Sequence, residues 1–204
     1  MNAAEKYARA LYPDTYRVLG RRMADYTLGH ALLLERLGSP FVIGDALPGP
    51  GDVKLFLLLC SRRYPRALRL VQLSQLLPTW FAWRLRCVRL PLDQFPYAVV
   101  SVNRYLQESS SMPKPWKEEG AKKPGSPPLQ QVKLTLMSRL GYSRRQALCT
   151  HLAEAFWDFF GLWELEGKIS LTDDDRLADA RRVIQEARAE HDAMNGARRP
   201  TTGN

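Results

Sequence analysis

Three histidines, three cysteines and one run of aspartates are the residues of this 204-residue chain whose types could do chemistry. A general base needs a proton to abstract within hydrogen-bond reach. His30 has only Glu35 nearby in sequence and lies at helical angle between Leu34 and Leu37, with no nucleophile spaced to meet it. It is expected to be a hydrogen-bonded core or cap histidine, and His151, beside Ala155 and Asp158 on its helical wheel, reads the same way. Cys60, Cys87 and Cys149 are odd in number, widely spaced and set in apolar sequence, without the Cys-x-x-Cys spacing of zinc sites. Buried reduced thiols are the expectation. Asp173, Asp174 and Asp175 carry oxygen ligands for a hard cation, but the alternation, Gly and distal Glu of a calcium loop are missing. Acids at a helix start answer the positive end of the macrodipole instead. No Gly-x-Gly-x-x-Gly, phosphate loop, Ser-centred elbow or His-Glu-x-x-His occurs. The expectation is a non-enzymatic protein with no metal and no cofactor.

Arginine is what the chain offers in place of catalytic groups. Lys plus Arg number 30 against 21 Asp plus Glu, a formal net charge of +9. Residues 1–110 hold 15 basic and 8 acidic side chains, residues 111–131 hold 4 and 2, and the remainder holds 11 of each. Such an excess attracts nucleic acid, an anionic surface or an acidic partner. Arg62, Arg63, Arg66, Arg69, Arg84, Arg86 and Arg89, with Trp80 and Trp83 as stacking partners, define a nucleic-acid alternative. Two other features suit a protein partner. Trp157 falls on the polar side of its helix beside Glu154, Gly161 and Glu164, a docking knob unless the preceding linker covers it. Leu177, Ala180, Ile184, Ala187, His191 and Met194 follow 3-4-3-4-3 spacing, a short, Ala-rich heptad seam.

The elements that must position these residues read as helices. Asn2 opens a short helix to about Leu11, stopped by Pro13. Thr27 caps a helix over 28–37 that is apolar on almost every side, with Gly38 in the capping place after it. Asp52 caps a second very apolar helix from Val53 to about Arg63, and both should be central. From Pro65 to Leu77 a helix places Leu68, Val71, Leu76 and, less ideally, Leu73 near one side. A segment from Pro78 to Leu90 reads as helix, although Trp83 to Cys87 also alternates like a strand. Asp93 opens a helix whose inner face is Phe95, Ala98, Val99, Val102 and Leu106. Residues 110–130, rich in Pro and Lys, form an extended linker. A short helix over 131–140 ends at Gly141, and Ser143 with Gln146 makes a capping box before one long amphipathic helix to about Glu166. The Leu140-Gly141-Tyr142 turn has the outline of a helix-turn-helix, but Arg144, Arg145 and Gln146 are followed by apolar and acidic residues. A structural hairpin is the expectation. Thr172 and the three aspartates start a last helix, and the tail from Gly196 is expected to be disordered. The predicted fold is all-α: an N-terminal multi-helix bundle over 1–109, the linker over 110–130 and a C-terminal three-helix subdomain over 131–195, docked on each other or swapped between protomers. The strongest apolar run, Val53 to Cys60, falls short of the roughly 20 residues a membrane span needs. With no apolar leader in the first twenty residues, the expectation is a cytoplasmic protein with no membrane partner.

One resemblance extends this reading. The run from Tyr26 through Leu28-Gly29-His30-Ala31-Leu32-Leu33-Leu34-Glu35-Arg36-Leu37 to Phe41, followed by Gly51-Asp52 and Cys60-Ser61-Arg62, resembles the tail assembly chaperones of bacterial viruses and prophages. The hairpin at Leu140-Gly141-Tyr142-Ser143 leading to Ala155-Phe156-Trp157 is similar in style to the C-terminal part of such proteins, and the matched segments cover about a third of the chain. The resemblance implies a binder of a tape-measure-type client, a long helical chain whose apolar faces need shielding until tube subunits replace the chaperone. It implies no catalytic residues and a location in the bacterial or infected cell, with a structural component of the tail or virion as an alternative. Self-association is left open.

Overall fold

The computed structural model describes residues 15–44, 46–111, 114–115, 127–167, 169 and 171–172. The expected helix from Asn2, the last helix with Leu177, Ile184 and Met194, and the tail from Gly196 lie outside the described residues. The fold is all-α, with nine α-helices among the described residues and four two-residue strands in two small pairings.

The first pairing is a hairpin of β1 (Arg17–Val18) and β2 (Arg21–Arg22), with Arg17 opposite Arg22. Leu19 and Gly20 between them take φ of 49° and 72°. Positive φ at both central residues is the geometry whose twist matches the flanking strands. Strands this short leave no alternation to read in the sequence.

Helix α1 (Leu28–Arg36) is the centre of the molecule. Thr27 caps it, its hydroxyl accepting from the His30 N–H, and Gly38 follows its end with φ 69°. Leu28, Gly29, His30, Ala31, Leu33 and Leu34 are all buried, as a helix apolar all round requires. The short α2 (Pro40–Ile43), then α3 (Pro50–Cys60) and α4 (Tyr64–Leu76), pack against it. α3 starts and stops earlier than expected. Pro50 supplies the preset φ of a first helical position, and Asp52 caps from the third position, its Oδ2 accepting from the Gly49 N–H at 2.8 Å. Ending at Cys60 leaves Arg62 outside the helix, where its carbonyl accepts a hydrogen bond from the His30 ring.

Helix α5 (Pro78–Arg86), helical and not extended, packs on α3 and α4. A 3-10 turn (Leu92–Gln94) leads into α6 (Phe95–Ser109), which buries Ala98, Val102 and Tyr105 and packs on α3 and β1. β3 (Lys114–Pro115) pairs antiparallel with β4 (Leu171–Thr172). Between them α7 (Pro128–Ser138) begins at its proline, inside the stretch expected to be linker.

The single long helix expected after Ser143 is in fact two, α8 (Arg144–Cys149) and α9 (Leu152–Leu165). The cause is tertiary. Thr150 and His151 are extended, with ψ of 138° and 139°, because this junction pairs with the start of α1. The Leu28 N–H donates to the Thr150 carbonyl at 3.1 Å and the Leu152 N–H to the Tyr26 carbonyl at 2.8 Å. Helices on both sides of residues 110–130 share one core, in which Leu34 and Phe56 belong to the same cluster as Val132, Leu136, Phe156 and Phe159. Each large side chain buried there contributes about 1.5–3 kcal/mol.

Candidate docking and anion-binding surface

The α4–α5 pair presents the arginines. α4 buries Ala67, Leu70 and Val71, so the inner stripe is not the Leu68, Val71, Leu76, Leu73 line that the wheel suggested. Leu68 is half-buried and Leu73 and Leu76 face solvent. Turning the helix this way brings Arg66, Arg69 and Leu73 to the edge facing α5.

There a cleft of about 230 Å³ is lined by Arg62, Arg66, Arg69, Arg84 and Trp80, with Leu70 and Leu73 beneath. The Arg84 guanidinium lies over the Trp80 ring, 5.1 Å from its centroid, and 5.9 Å from the centroid of Trp83. This cation–π contact fixes one wall. Arg62 is tied down by donating to the Leu58 carbonyl and more weakly to Ser61 Oγ. Burial, then the positive charges of Arg21 and Arg84, pull its pKa below the usual guanidinium value. Among the described residues no carboxylate lines the cleft and none of its four guanidiniums is in an ion pair. Crowded like charge of this kind favours a neighbouring anion.

Beside the cleft runs an apolar ridge. Leu73, Leu76 and Leu77 are 41%, 76% and 51% exposed, and Trp83 on α5 is 57% exposed. Leu73 and Leu76 lie three residues apart on one side of α4, and Leu77 is the non-helical residue between α4 and α5. Such a run of large apolar side chains next to arginine and tryptophan has the composition of a protein interface.

On the other flank of α4 a groove of about 560 Å³ separates it from α8. Pro65, Leu68 and Leu148 supply its apolar lining, and Arg69, Arg144 and Arg145 its charge. Gly29 makes the close approach possible. A Cβ there would lie 2.6 Å from both the Leu148 carbonyl oxygen and the Tyr64 ring. Arg144 and Arg145 were not among the expected site residues; only the folded chain brings them to Arg69.

The remaining expected residues disperse. Arg63, Arg86 and Arg89 are exposed but line neither recess. Trp157 is half-buried, with its Nε1 shielded from solvent, and is not an exposed knob. Glu154 is half-buried too, its pKa raised by burial and then by Asp158. Leu177, Ile184 and Met194 lie outside the described residues. Cys60 is buried, but Cys87 and Cys149 are exposed, contrary to expectation, because α5 ends at one and α8 turns the other into the groove. His30 is a core histidine bonded at both ring nitrogens. His151 lines a small, partly open cavity of about 30 Å³ with Asp25, Tyr105 and Ser109, room enough for a water. Among the described residues no cluster of His, Cys, Asp or Glu could hold a metal, and no helix is long and apolar enough to cross a membrane.

Comparison with known proteins yields no matching family model, no matching curated protein and no matching solved structure.

Proposed function

We propose that the chain is a non-enzymatic protein that holds a long helical client, of tape-measure type, during assembly of a phage or phage-like tail. The observation that carries this reading is the exposed ridge of Leu73, Leu76, Leu77 and Trp83. A soluble chain leaves such a surface bare when a partner covers it for part of its life, and an amphipathic client helix laid on it buries its own apolar face at the same time. Three leucines have no work to do against phosphates, so the ridge favours a protein client over nucleic acid. The resemblance of the Tyr26 to Phe41 run to tail assembly chaperones points the same way.

The test is purification of tagged full-length protein from its own host at about 50 mM and about 500 mM salt, the range over which phosphate contacts are lost. A helical protein retained at both salts, and lost from the Leu73→Ser, Leu76→Ser, Leu77→Ser variant, supports the reading. The expected loss is at least about 100-fold, since each leucine forfeits about 1.5–3 kcal/mol if fully covered. Nucleic acid retained only at low salt, with no protein client, overturns it.

A further inference from the structure

We propose that the groove between α4 and α8 is the seat of an acidic amphipathic helix, whose carboxylates meet Arg69, Arg144 and Arg145 while its apolar stripe covers Pro65, Leu68 and Leu148. The proposal rests on the helical-client reading for the form of the occupant, and adds its charge and a second seat beyond the leucine ridge.

Charge and apolar lining agree on this occupant. Among the described residues, the three charged side chains that line it are all arginines and none of them is ion-paired. Residues 1–110 of a second copy, with 15 basic and 8 acidic side chains, would bring more positive charge to these arginines. A phosphate backbone would satisfy the arginines but leave the proline and the leucines uncovered, whereas a helix with acids flanking an apolar stripe satisfies both.

The walls are also held in advance. α4 and α8 converge on Gly29 of α1, where the absent side chain lets the Leu148 carbonyl and the Tyr64 ring close in. α8 is fixed at its start by the reciprocal Ser143–Gln146 cap and at its end by the pairing of Thr150 with Leu28. A groove shaped before the partner arrives loses little ordering free energy on binding.

The test uses the full chain and three probes: a labelled 20-residue peptide with a leucine stripe flanked by glutamates, the same peptide with lysines for glutamates, and a 20-nucleotide oligo-dT. Cys149 opens into the groove, while Cys87 is exposed away from it, so alkylation of the two thiols reports location within one molecule. The glutamate peptide should bind and slow alkylation of Cys149 but not of Cys87. Arg69→Glu, Arg144→Glu, Arg145→Glu should lower its affinity by about tenfold, as expected when three exposed ion pairs reverse sign, and should raise affinity for the lysine peptide. A role of these arginines in stability alone would not reverse that preference. The proposal is overturned if no peptide binds, if oligo-dT is preferred, if Cys149 stays unprotected, or if the charge reversal instead abolishes self-association of the chain. The leucine-ridge variant should keep glutamate-peptide binding. Client capture that survives in that variant sinks the proposed function alone, and peptide binding indifferent to charge reversal sinks the groove alone.

Discussion

The ring of His30 joins the core to the arginine cleft: Nε2 lies 2.9 Å from the Arg62 carbonyl oxygen, and Nδ1 lies 3.3 Å from the Thr27 nitrogen. A backbone N–H only donates, so Nδ1 accepts, and Nε2 carries the proton and donates to Arg62. Burial lowers the pKa of His30 from 6.5 to about 4, against the smaller opposing effects of the Arg62 bond and Asp25. Folding thus favours the neutral ring. That stabilisation is complete above pH 6.5 and declines as pH falls from 6.5 towards 4, because the unfolded chain takes up its proton first. The loss should be on the order of 1 kcal/mol per pH unit. Urea midpoints at pH 7 and pH 5 should therefore differ in the native sequence and differ less in His30→Gln, which starts less stable. Burial also lowers the pKa of His151, so part of the slope should survive; an unchanged slope would show that His30 is not the neutral buried group.

Gly29→Ala should destabilise the protein even though alanine is the better helix former. The propensity gain is about 1 kcal/mol, but the new Cβ would stand 2.6 Å from the Leu148 carbonyl and from the Tyr64 ring. A ring can tilt; a carbonyl fixed in α8 cannot move without the helix. Overpacking of this kind costs about 1–3 kcal/mol, and the net loss should appear as a lower urea midpoint. Equal or raised stability would mean that α8 is not held against α1.

What could be read from the sequence divides by the range of the cause. α1 was legible because Thr27, the apolar run and Gly38 are all local signals. The break between α8 and α9 was not, because no proline or glycine marks Thr150 and His151; the partner that extends them is the Tyr26 to Leu28 backbone. On α4 the wheel offers leucines on more than one side, and pattern alone does not say which set the core selects. Arg84 near Trp80 follows from i, i+4 spacing, and Arg62, Arg66 and Arg69 were legible as a cluster by type. Arg144 and Arg145 meet Arg69 only through the close approach at Gly29.

Tyr105 ties α6 to the segment that leads into α1. Its hydroxyl donates to the Ala24 carbonyl at 2.6 Å, and its ring meets Tyr26 and Phe56 edge-on. Tyr105→Phe keeps the ring contacts and removes the donor, leaving a part-buried carbonyl without it. A loss of about 1 kcal/mol is expected. Tyr105→Leu should cost more, because the edge contacts go as well. Thermal unfolding that ranks the two variants the other way would place the value of Tyr105 elsewhere.

The three thiols should separate by burial alone. Cys60 is enclosed in α3 and its thiol pKa is pushed up by burial, so it presents neither access nor thiolate to a reagent. Cys87 and Cys149 are exposed. Titration with a chromophoric disulfide at pH 8 should therefore count two fast thiols in the native protein and a third only in denaturant. The slow phase would then measure opening of the α1–α3 core, since Cys60 reacts only when that core parts. Gly29→Ala should quicken it if the strain at Leu148 loosens the helices around α1. Three fast thiols would mean that α3 is not buried as described, and a single fast thiol would mean that the α4–α8 groove is closed over Cys149 in the free protein.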